Sequence, residues 1–244
     1  MKASLLRWAA WAPGIESPAA WEQWAKSPQP LPATGSPEAK FLPAMLRRRC
    51  TPLTRTMLTA AFACAEPAEL ARLRTVFGSR HGSINESIGL LENVVRREKL
   101  SPATFSHTVH NAQAGLFSIA AGNRAASSSL AAQEDTWTAA FLEALAFLER
   151  DAREPVLVVV GDVPLAETFA PLVEEAAVPY AFAAQIAAPG AGPDLALELV
   201  SARGPVASPP WPPALEFLRW WVSGETRLEQ RNRACVARWT RLER

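Results

Sequence analysis

A chain of 244 residues is long enough for one large domain or two small ones, and its 49% hydrophobic and 20% charged residues are typical of a folded protein rather than a disordered one. With 25 Lys and Arg against 24 Asp and Glu, the net charge of +1 does not give the one-signed field that nucleic-acid-binding proteins use, so we expect no nucleic-acid partner. The three cysteines, Cys50, Cys64 and Cys235, are too widely spaced for a disulfide framework or a paired metal motif, which favours a reducing compartment, the cytoplasm.

The chain opens on an apolar segment. Residues 5–11 are short and apolar and are followed by a Pro-Gly pair, which predicts a buried strand and a turn. Residues 16–39 are rich in Pro, Ser and Trp and predict a loop with one helical turn at residues 21–24. Arg7 interrupts the apolar start too early for a signal peptide, and no apolar stretch reaches the ~20 residues that a membrane-spanning helix needs. We therefore expect neither a leader nor a membrane span.

Cap signals mark the helices of the next part. Thr51 and Pro52 have the order of an N-cap and a first helical residue, and the spacing after them directs Cys64 to the core. Ser83 and Glu86 have the spacing of a capping box. The helix after it carries an apolar stripe of Ile88, Leu91 and Val95. The pattern also predicts a short helix, a strand, a helix that stops at a Gly-Asn pair, and an extended small-residue segment, at residues 67–73, 75–78, 112–121 and 125–132.

Strand and helix patterns alternate in the second half as well. Residues 136–150 have the best amphipathic helix pattern, and residues 155–160 are an apolar run typical of a strand covered on both faces. Two more strands and a helix are predicted at residues 180–187, 195–200 and 213–222. The charged tail, residues 225–244, is predicted to be helical. The alternation predicts an α/β fold with a mixed sheet, in a single domain over residues 1–244.

The most specific motifs lie in residues 79–145. They read Ser-Arg-His-Gly at 79–82, Leu-Ser-Pro at 100–102, Phe-Ser-His-Thr-Val-His-Asn-Ala at 105–112 and Gly-Leu-Phe-Ser-Ile at 115–119. Weaker motifs in the same order are Trp-Ala-Pro-Gly at 11–14, Leu-Pro-x-x-Leu-Arg-Arg-Arg at 42–49 and Gly-Asp-x-Pro at 161–164. Over about residues 5–225 the chain resembles β-ketoacyl synthases, specifically the short ketosynthase-like chain-length factors of aryl polyene gene clusters.

This resemblance implies a thiolase-like fold, of which a complete ketosynthase contains two similar halves stacked as five layers. Such an enzyme uses a nucleophilic cysteine at a strand-to-helix turn of the first half and two histidines of the second. Here the turn reads Ala-Gln-Glu-Asp at 132–135, so the resemblance places Gln133, or else Glu134 or Asp135, at the nucleophile position. His110 is the last histidine of the chain. The resemblance therefore implies half of a ketosynthase, without catalytic residues, cofactor or metal.

Several residues have two interpretations. His110 and Asn111 line the acyl channel or the partner interface, or they hydrogen-bond the loops that hold the turn. The cluster Arg47, Arg48 and Arg49 docks an acyl carrier protein by charge, or it is a solvated helix entrance. Cys50 follows these arginines, which would lower the pKa of its thiol; a plain structural cysteine is the alternative.

Other features have weaker support. The C-terminal tryptophans form a partner patch or pack the last helix: Trp211, Trp220, Trp221 and Trp239. His81 and His107 lack a third ligand at metal spacing. Gly161 and Asp162 follow a buried strand, but no Gly-x-Gly-x-x-Gly motif supports a dinucleotide site.

The resemblance implies a subunit that forms a heterodimer with a complete ketosynthase and shapes acyl chain elongation on a carrier protein. In this fold the subunits pair through the strand before the turn, here Arg124, Ala125, Ala126, Ser127, Ser128, Ser129 and Leu130. Proline at position 128 is then expected to split the complex. One alternative is an acyl hydrolase or acyltransferase using Ser127, Ser128, Ser129 or Asp135, although no Gly-x-Ser-x-Gly motif is present. Another is a homodimeric module that binds acyl carriers or lipids.

Overall fold

One mixed β-sheet runs through the chain. The computed structural model describes residues 1–169, 171, 177–201, 210–231 and 235–242. The strands of this described part are β1 (Lys2–Trp11), β2 (Arg74–Gly78), β3 (Ser127–Leu130), β4 (Val156–Asp162), β5 (Tyr180–Ala187), β6 (Asp194–Ser201), β7 (Arg227–Arg231) and β8 (Cys235–Arg241). Across the sheet they follow the order β3-β2-β4-β5-β1-β6-β8-β7. β2 pairs in parallel with β3 and β4, and the remaining pairs are antiparallel.

Helices cover both faces of this sheet. They are α1 (Pro18–Lys26), α2 (Ala44–Arg49), α3 (Pro52–Ala63), α4 (Pro67–Leu70), α5 (Ile84–Val95), α6 (Pro102–Phe105), α7 (Ala112–Ala121), α8 (Thr136–Arg150) and α9 (Pro213–Ser223). On one face, α1, α8 and α9 enclose an aromatic core with Val158 of β4; on the other, α3 and α7 enclose a second core with Val159. The unbroken apolar run of β4 is thereby explained, since alternate residues of a strand point to opposite faces.

Two of the helix ends predicted from cap signals are confirmed. Thr51 accepts a hydrogen bond from the Thr54 N–H at 3.2 Å, and Pro52 is the first residue of α3. Gly122 ends α7 with φ of 63°, a left-handed conformation that glycine adopts without strain. Asn123 then donates to the carbonyl of Leu73 at 2.9 Å, which ties this helix end to β2.

The predicted helical tail is wrong. Its described residues form a hairpin of β7 and β8, and β8 pairs with β6. Trp239 is fully buried, whereas Arg238 beside it is exposed and bonds Glu229 across the strands at 2.8 Å. This alternation has the period of a strand, and the many charged residues belong to its exposed face.

Two local predictions also need correction. The region predicted as a loop with one helical turn contains the nine-residue helix α1, which Ser17 caps by accepting from the Ala20 N–H at 3.2 Å. The predicted capping box at Ser83 is absent, because its hydroxyl accepts from Gln113 Nε2 at 3.0 Å instead. The Gln113–Ser83 bond joins the starts of α5 and α7, so the Ser83 hydroxyl makes a tertiary contact rather than capping its own helix.

Among the residues described, no helix is both long and apolar enough to cross a bilayer.

Candidate functional site

The carboxyl ends of three parallel strands meet at one end of the sheet. β2 runs into the turn 79–82, β3 runs into the turn at Gln133, and β4 ends at Asp162. Ligands of open α/β sheets are found outside the carboxyl ends of their strands, so the region beyond these carboxyl ends is the candidate site. Gly78 allows close packing here, since a Cβ at that position would lie 3.0 Å from the Thr136 Cγ2.

Gln133 lies in a strained turn between β3 and α8. Its φ is 53°, a left-handed conformation that costs an ordinary residue about 1–2 kcal/mol, and its side chain is exposed. Thr136 fixes the turn by donating its hydroxyl to the Gln133 carbonyl at 2.8 Å while accepting from the Ala132 N–H at 3.1 Å. A strained residue between a strand and a helix is also how nucleophile elbows present their side chains. Of the three predicted candidates, Gln133 alone has a positive φ.

Asp162 is buried under the neighbouring turn. Its carboxylate accepts from Ser79 Oγ at 2.7 Å and from the backbone N–H groups of Arg80 and His81 at 3.0 Å each. Burial raises the pKa of the Asp162 carboxyl, and these three donors oppose that rise. Gly161 before it cannot carry a side chain, because a Cβ would lie 2.6 Å from the Tyr180 carbonyl oxygen. The Gly-Asp pair therefore serves the chain's own turn 79–82 rather than a bound phosphate group.

His110 and Asn111 face different surroundings. His110 packs over the turn 79–82: its Nδ1 would lie 3.0 Å from a Cβ at Gly82. Its buried Nε2 has no hydrogen-bond partner among the described residues. Asn111 is exposed and lines a groove beside β3. Their assignment to an acyl channel stays a prediction.

The other two histidines lie in the same region. Burial lowers the pKa of His81, and burial together with the nearby Arg49 guanidinium lowers the pKa of His107. Both rings therefore favour the neutral form. In the described part of the chain, no three His, Cys, Asp or Glu side chains gather into a group that could hold a metal ion.

β3 forms one edge of the sheet. Within the described residues it pairs with β2 alone, and its outer side lines a groove of about 530 Å³ with α7. The Thr75 N–H donates to the Ala126 carbonyl and the Ser79 N–H to the Leu130 carbonyl, so alternate backbone groups face β2. In this register the backbone N–H of Ser128 also faces β2, whereas the Ser129 N–H points to the free edge of the sheet. Proline at 128 is therefore the wrong test of an interface, because it would break the chain's own ladder.

An apolar surface on α5 and α6 is the feature that sequence reasoning missed. The α5–α6 apolar surface consists of Leu90, Leu91, Val94, Leu100, Pro102 and Phe105, around a cavity of about 480 Å³. Leu91 and Phe105 are each 64% exposed, and α5 has no buried residue. The stripe of Ile88, Leu91 and Val95 does predict the helix, but it does not face the core of this chain.

Comparison with known proteins gives the family. The model of the β-ketoacyl synthase N-terminal domain matches residues 21–240. The chain belongs to this family. No curated protein matches it at a significant level.

Solved ketosynthase complexes have the same fold. A chain of the ketosynthase (ApeO) in complex with its chain length factor (ApeC) from Xenorhabdus doucetiae is 24% identical with a TM-score of 0.87, over 99% of this chain and 100% of that one. The ketosynthase complex AntDE:AntF matches at 10% identity and a TM-score of 0.72, over 99% of each chain. The ishigamide ketosynthase/chain length factor matches at 12% identity and a TM-score of 0.66, over 82% of this chain and 68% of that one. The predicted thiolase-like α/β fold is thus confirmed.

The arginine cluster lies at the end of a helix of this ketosynthase-family domain. Arg47, Arg48 and Arg49 form the last turn of α2, where positive charge interacts favourably with the helix carboxyl end. Arg48 and Arg49 are exposed, and the Arg47 carbonyl accepts from Arg55 Nη2 at 3.2 Å. The cluster can therefore present at least two cations to solvent. Carrier docking stays a prediction.

The C-terminal tryptophans belong to the core of the domain. Trp220 and Trp239 are fully buried, and Trp137 of α8 packs on Phe217 with ring centroids 4.6 Å apart. Trp221 is also buried, and Trp211 is half-buried against Trp24. Packing, rather than a partner patch, accounts for these tryptophans.

Two of the three cysteines of this domain, Cys50 and Cys64, are buried. Burial raises the pKa of the Cys50 thiol and outweighs Arg55 and Arg49, which corrects the expected lowering by the arginines. Its Sγ donates to the Leu46 carbonyl at 3.3 Å. Burial raises the pKa of Cys64 to about 12. Cys235 begins β8, at the other end of the sheet from β3.

We expect separate replacement of Cys50, Cys64 and Cys235 by alanine to leave the activity of a reconstituted ketosynthase complex within about twofold per folded protein, since surface and structural changes act on stability first. Cys64→Ala is expected to cost on the order of 1 kcal/mol of folding stability, because this thiol is buried. Assays of condensation alongside thermal melts separate the two effects. A loss of activity in any variant with an unchanged melt would place the active centre at that cysteine.

Proposed function

We propose that this chain is a non-catalytic ketosynthase-like subunit, a chain-length factor, which forms a heterodimer with a complete β-ketoacyl-acyl carrier protein synthase in polyene or fatty-acid-type biosynthesis. The observation that carries the proposal is Gln133 in the strained strand-to-helix turn. Condensation by a ketosynthase needs a thiol there that accepts the acyl group, and a neutral amide is no such nucleophile. The sequence also has no histidine after His110 to stabilise the enolate and the thioester oxygen.

The free edge of β3 supports a partner subunit. β7, at the opposite edge, has the charged residues Arg227 and Glu229, which discourage pairing with another chain. β3 has only small hydroxyl side chains before Leu130, so a second backbone can approach closely. In the proposed complex a ketosynthase strand continues the sheet at β3, with residues 124–126 at its start.

The α5–α6 apolar surface supports the same partner. Ser83, at the start of α5, accepts from Gln113 of α7, and α7 lines the β3 groove, so α5 is tied to the helix beside that edge. Asn85 of α5 donates to the Pro164 carbonyl at 2.9 Å and accepts from the Ala166 N–H, which anchors the helix beyond the end of β4. A monomer would leave this apolar area in water, whereas a ketosynthase that pairs with β3 covers it. The occupant we propose is that ketosynthase.

In the proposed complex, Gln133, His110 and Asn111 lie beside the partner's acyl channel. A neutral amide at residue 133 shapes the floor of that channel without competing for the acyl group. Arg47, Arg48 and Arg49 then steer the acidic acyl carrier protein towards the complex by charge. The free thiols of Cys50 and Cys64 fit a cytoplasmic site of action.

Co-expression with a complete ketosynthase tests this function. We expect size-exclusion chromatography with light scattering to give a 1:1 complex, and the complex to elongate acyl thioesters on a carrier protein. The purified chain alone is expected to show no condensation of malonyl and acyl thioesters. Condensation by the chain alone, or a stable homodimer that ignores the ketosynthase, would contradict the proposal in favour of an independent enzyme or a carrier-binding module.

A further inference from the structure

Arg80 joins two turns that follow the carboxyl ends of β2 and β3. Asp162 fixes the backbone of the turn 79–82, because it accepts from the N–H groups of Arg80 and His81 and from Ser79 Oγ. The Ser79 hydroxyl in turn accepts from the Gly82 N–H at 2.8 Å. A buried carboxylate therefore determines where the Arg80 side chain begins.

The Arg80 side chain crosses to the next turn. Its Nη2 lies 3.2 Å from Glu134 Oε1, and the two side chains are only 17% and 32% exposed. The ion pair of Arg72 and Glu154, by comparison, is 60% and 46% exposed at 3.0 Å. Charges that are shielded from water interact more strongly, so the Arg80–Glu134 pair restrains its turn better than a surface pair does.

Gln133 lies directly before Glu134, in a conformation that an unrestrained glutamine rarely adopts. Thr136 holds the Gln133 carbonyl from the α8 side, and the ion pair holds residue 134 from the β2 side. We propose that Arg80 is a positioning residue which, anchored by Asp162, holds Gln133 in its strained conformation. This inference rests on the proposed function in one respect: there, Gln133 faces the partner's channel.

Hydrogen exchange of the isolated chain tests the restraint without a partner. We expect Arg80→Gln and Glu134→Gln each to speed amide exchange in residues 131–136 by about tenfold, since local opening there becomes easier. Exchange in residues 180–187 of β5 is expected to stay unchanged, as is the melting temperature. Glu154→Gln is the matched control and should leave residues 131–136 as they are.

Two further variants distinguish positioning from a general loss of stability. The charge reversal Arg80→Glu with Glu134→Arg is expected to restore slow exchange in residues 131–136. Asp162→Asn should speed exchange in both 79–82 and 131–136, whereas Glu134→Gln acts on the second segment alone. Unchanged exchange in both single variants, or equally faster exchange throughout the chain, would overturn the inference.

The functional consequence is measured in the complex. In a heterodimer of normal mass, we expect Glu134→Gln to change the product chain-length distribution and the charge reversal to bring it back. If the wild-type chain forms no complex with a ketosynthase, the proposed function fails, while the exchange result still decides whether Arg80 positions Gln133. An unaltered product distribution despite faster exchange would show that the channel does not depend on this turn.

Discussion

In the proposed complex, replacing Ser129 by proline is expected to separate this chain from the ketosynthase while leaving the chain itself folded. The Ser129 N–H points away from β2 to the free edge of the sheet, so proline removes a donor that β2 does not use and that the ketosynthase strand uses in the proposed complex. A lost ladder bond that leaves its buried partner group unpaired costs about 1–3 kcal/mol, which is a loss of affinity of about five- to hundredfold at about 1.4 kcal/mol per tenfold. Titration calorimetry with the ketosynthase measures it.

Neighbouring variants control for this prediction. Ser129→Ala keeps the N–H and should keep the complex. Ser128→Pro should instead lower the melting temperature of the isolated chain, because residue 128 bonds β2 in this register. If Ser129→Pro binds the ketosynthase as the wild type does, β3 is not the interface.

Introducing charge on the α5–α6 apolar surface is expected to abolish the complex. In the double variant Leu91→Glu with Phe105→Glu, two carboxylates replace side chains that are each 64% exposed in the free chain. Stability of the isolated chain should hardly change, since little packing is lost. In the complex, unpaired carboxylates would be buried, and we expect a loss of affinity of at least about hundredfold. Light scattering of the mixture and thermal melts of the chain measure the two quantities.

Leu199→Glu provides the matched control. Leu199 is another exposed apolar residue, at 40%, but it lies on β6, in the half of the sheet away from β3. We expect this variant to form the complex normally. A double variant at Leu91 and Phe105 that still binds would show that another partner, or none, covers the apolar surface.

The sequence predicts several of the elements whose ends carry local chemistry. Thr51 with Pro52 and Gly122 set helix ends through their own backbone preferences, and β4 is marked by its unbroken apolar run. The tail was misread because its charges conceal a two-residue period that has few apolar members. Apolar spacing likewise predicts α5 as a helix, but it cannot say whether its stripe faces this chain or another one.

The candidate site was predictable only in part. Gln133 came from the resemblance of a whole turn to a family pattern, and its strained backbone became visible only in three dimensions. The Arg80–Glu134 and Asp162–Ser79 bonds join residues 54 and 83 positions apart, so no local spacing indicates them. Whether Ser128 or Ser129 is the right position for the proline test depends on which backbone groups face β2. The residue types alone do not show this.

The central claim is that this subunit supplies shape and contacts but no nucleophile. The most direct test is the condensation rate of the heterodimer in which the partner ketosynthase carries alanine at its nucleophilic cysteine and this chain is wild type. Our account predicts a complex of normal mass whose condensation falls to the background level. Continued condensation by that complex would show that this chain carries out the chemistry itself, and would contradict the account.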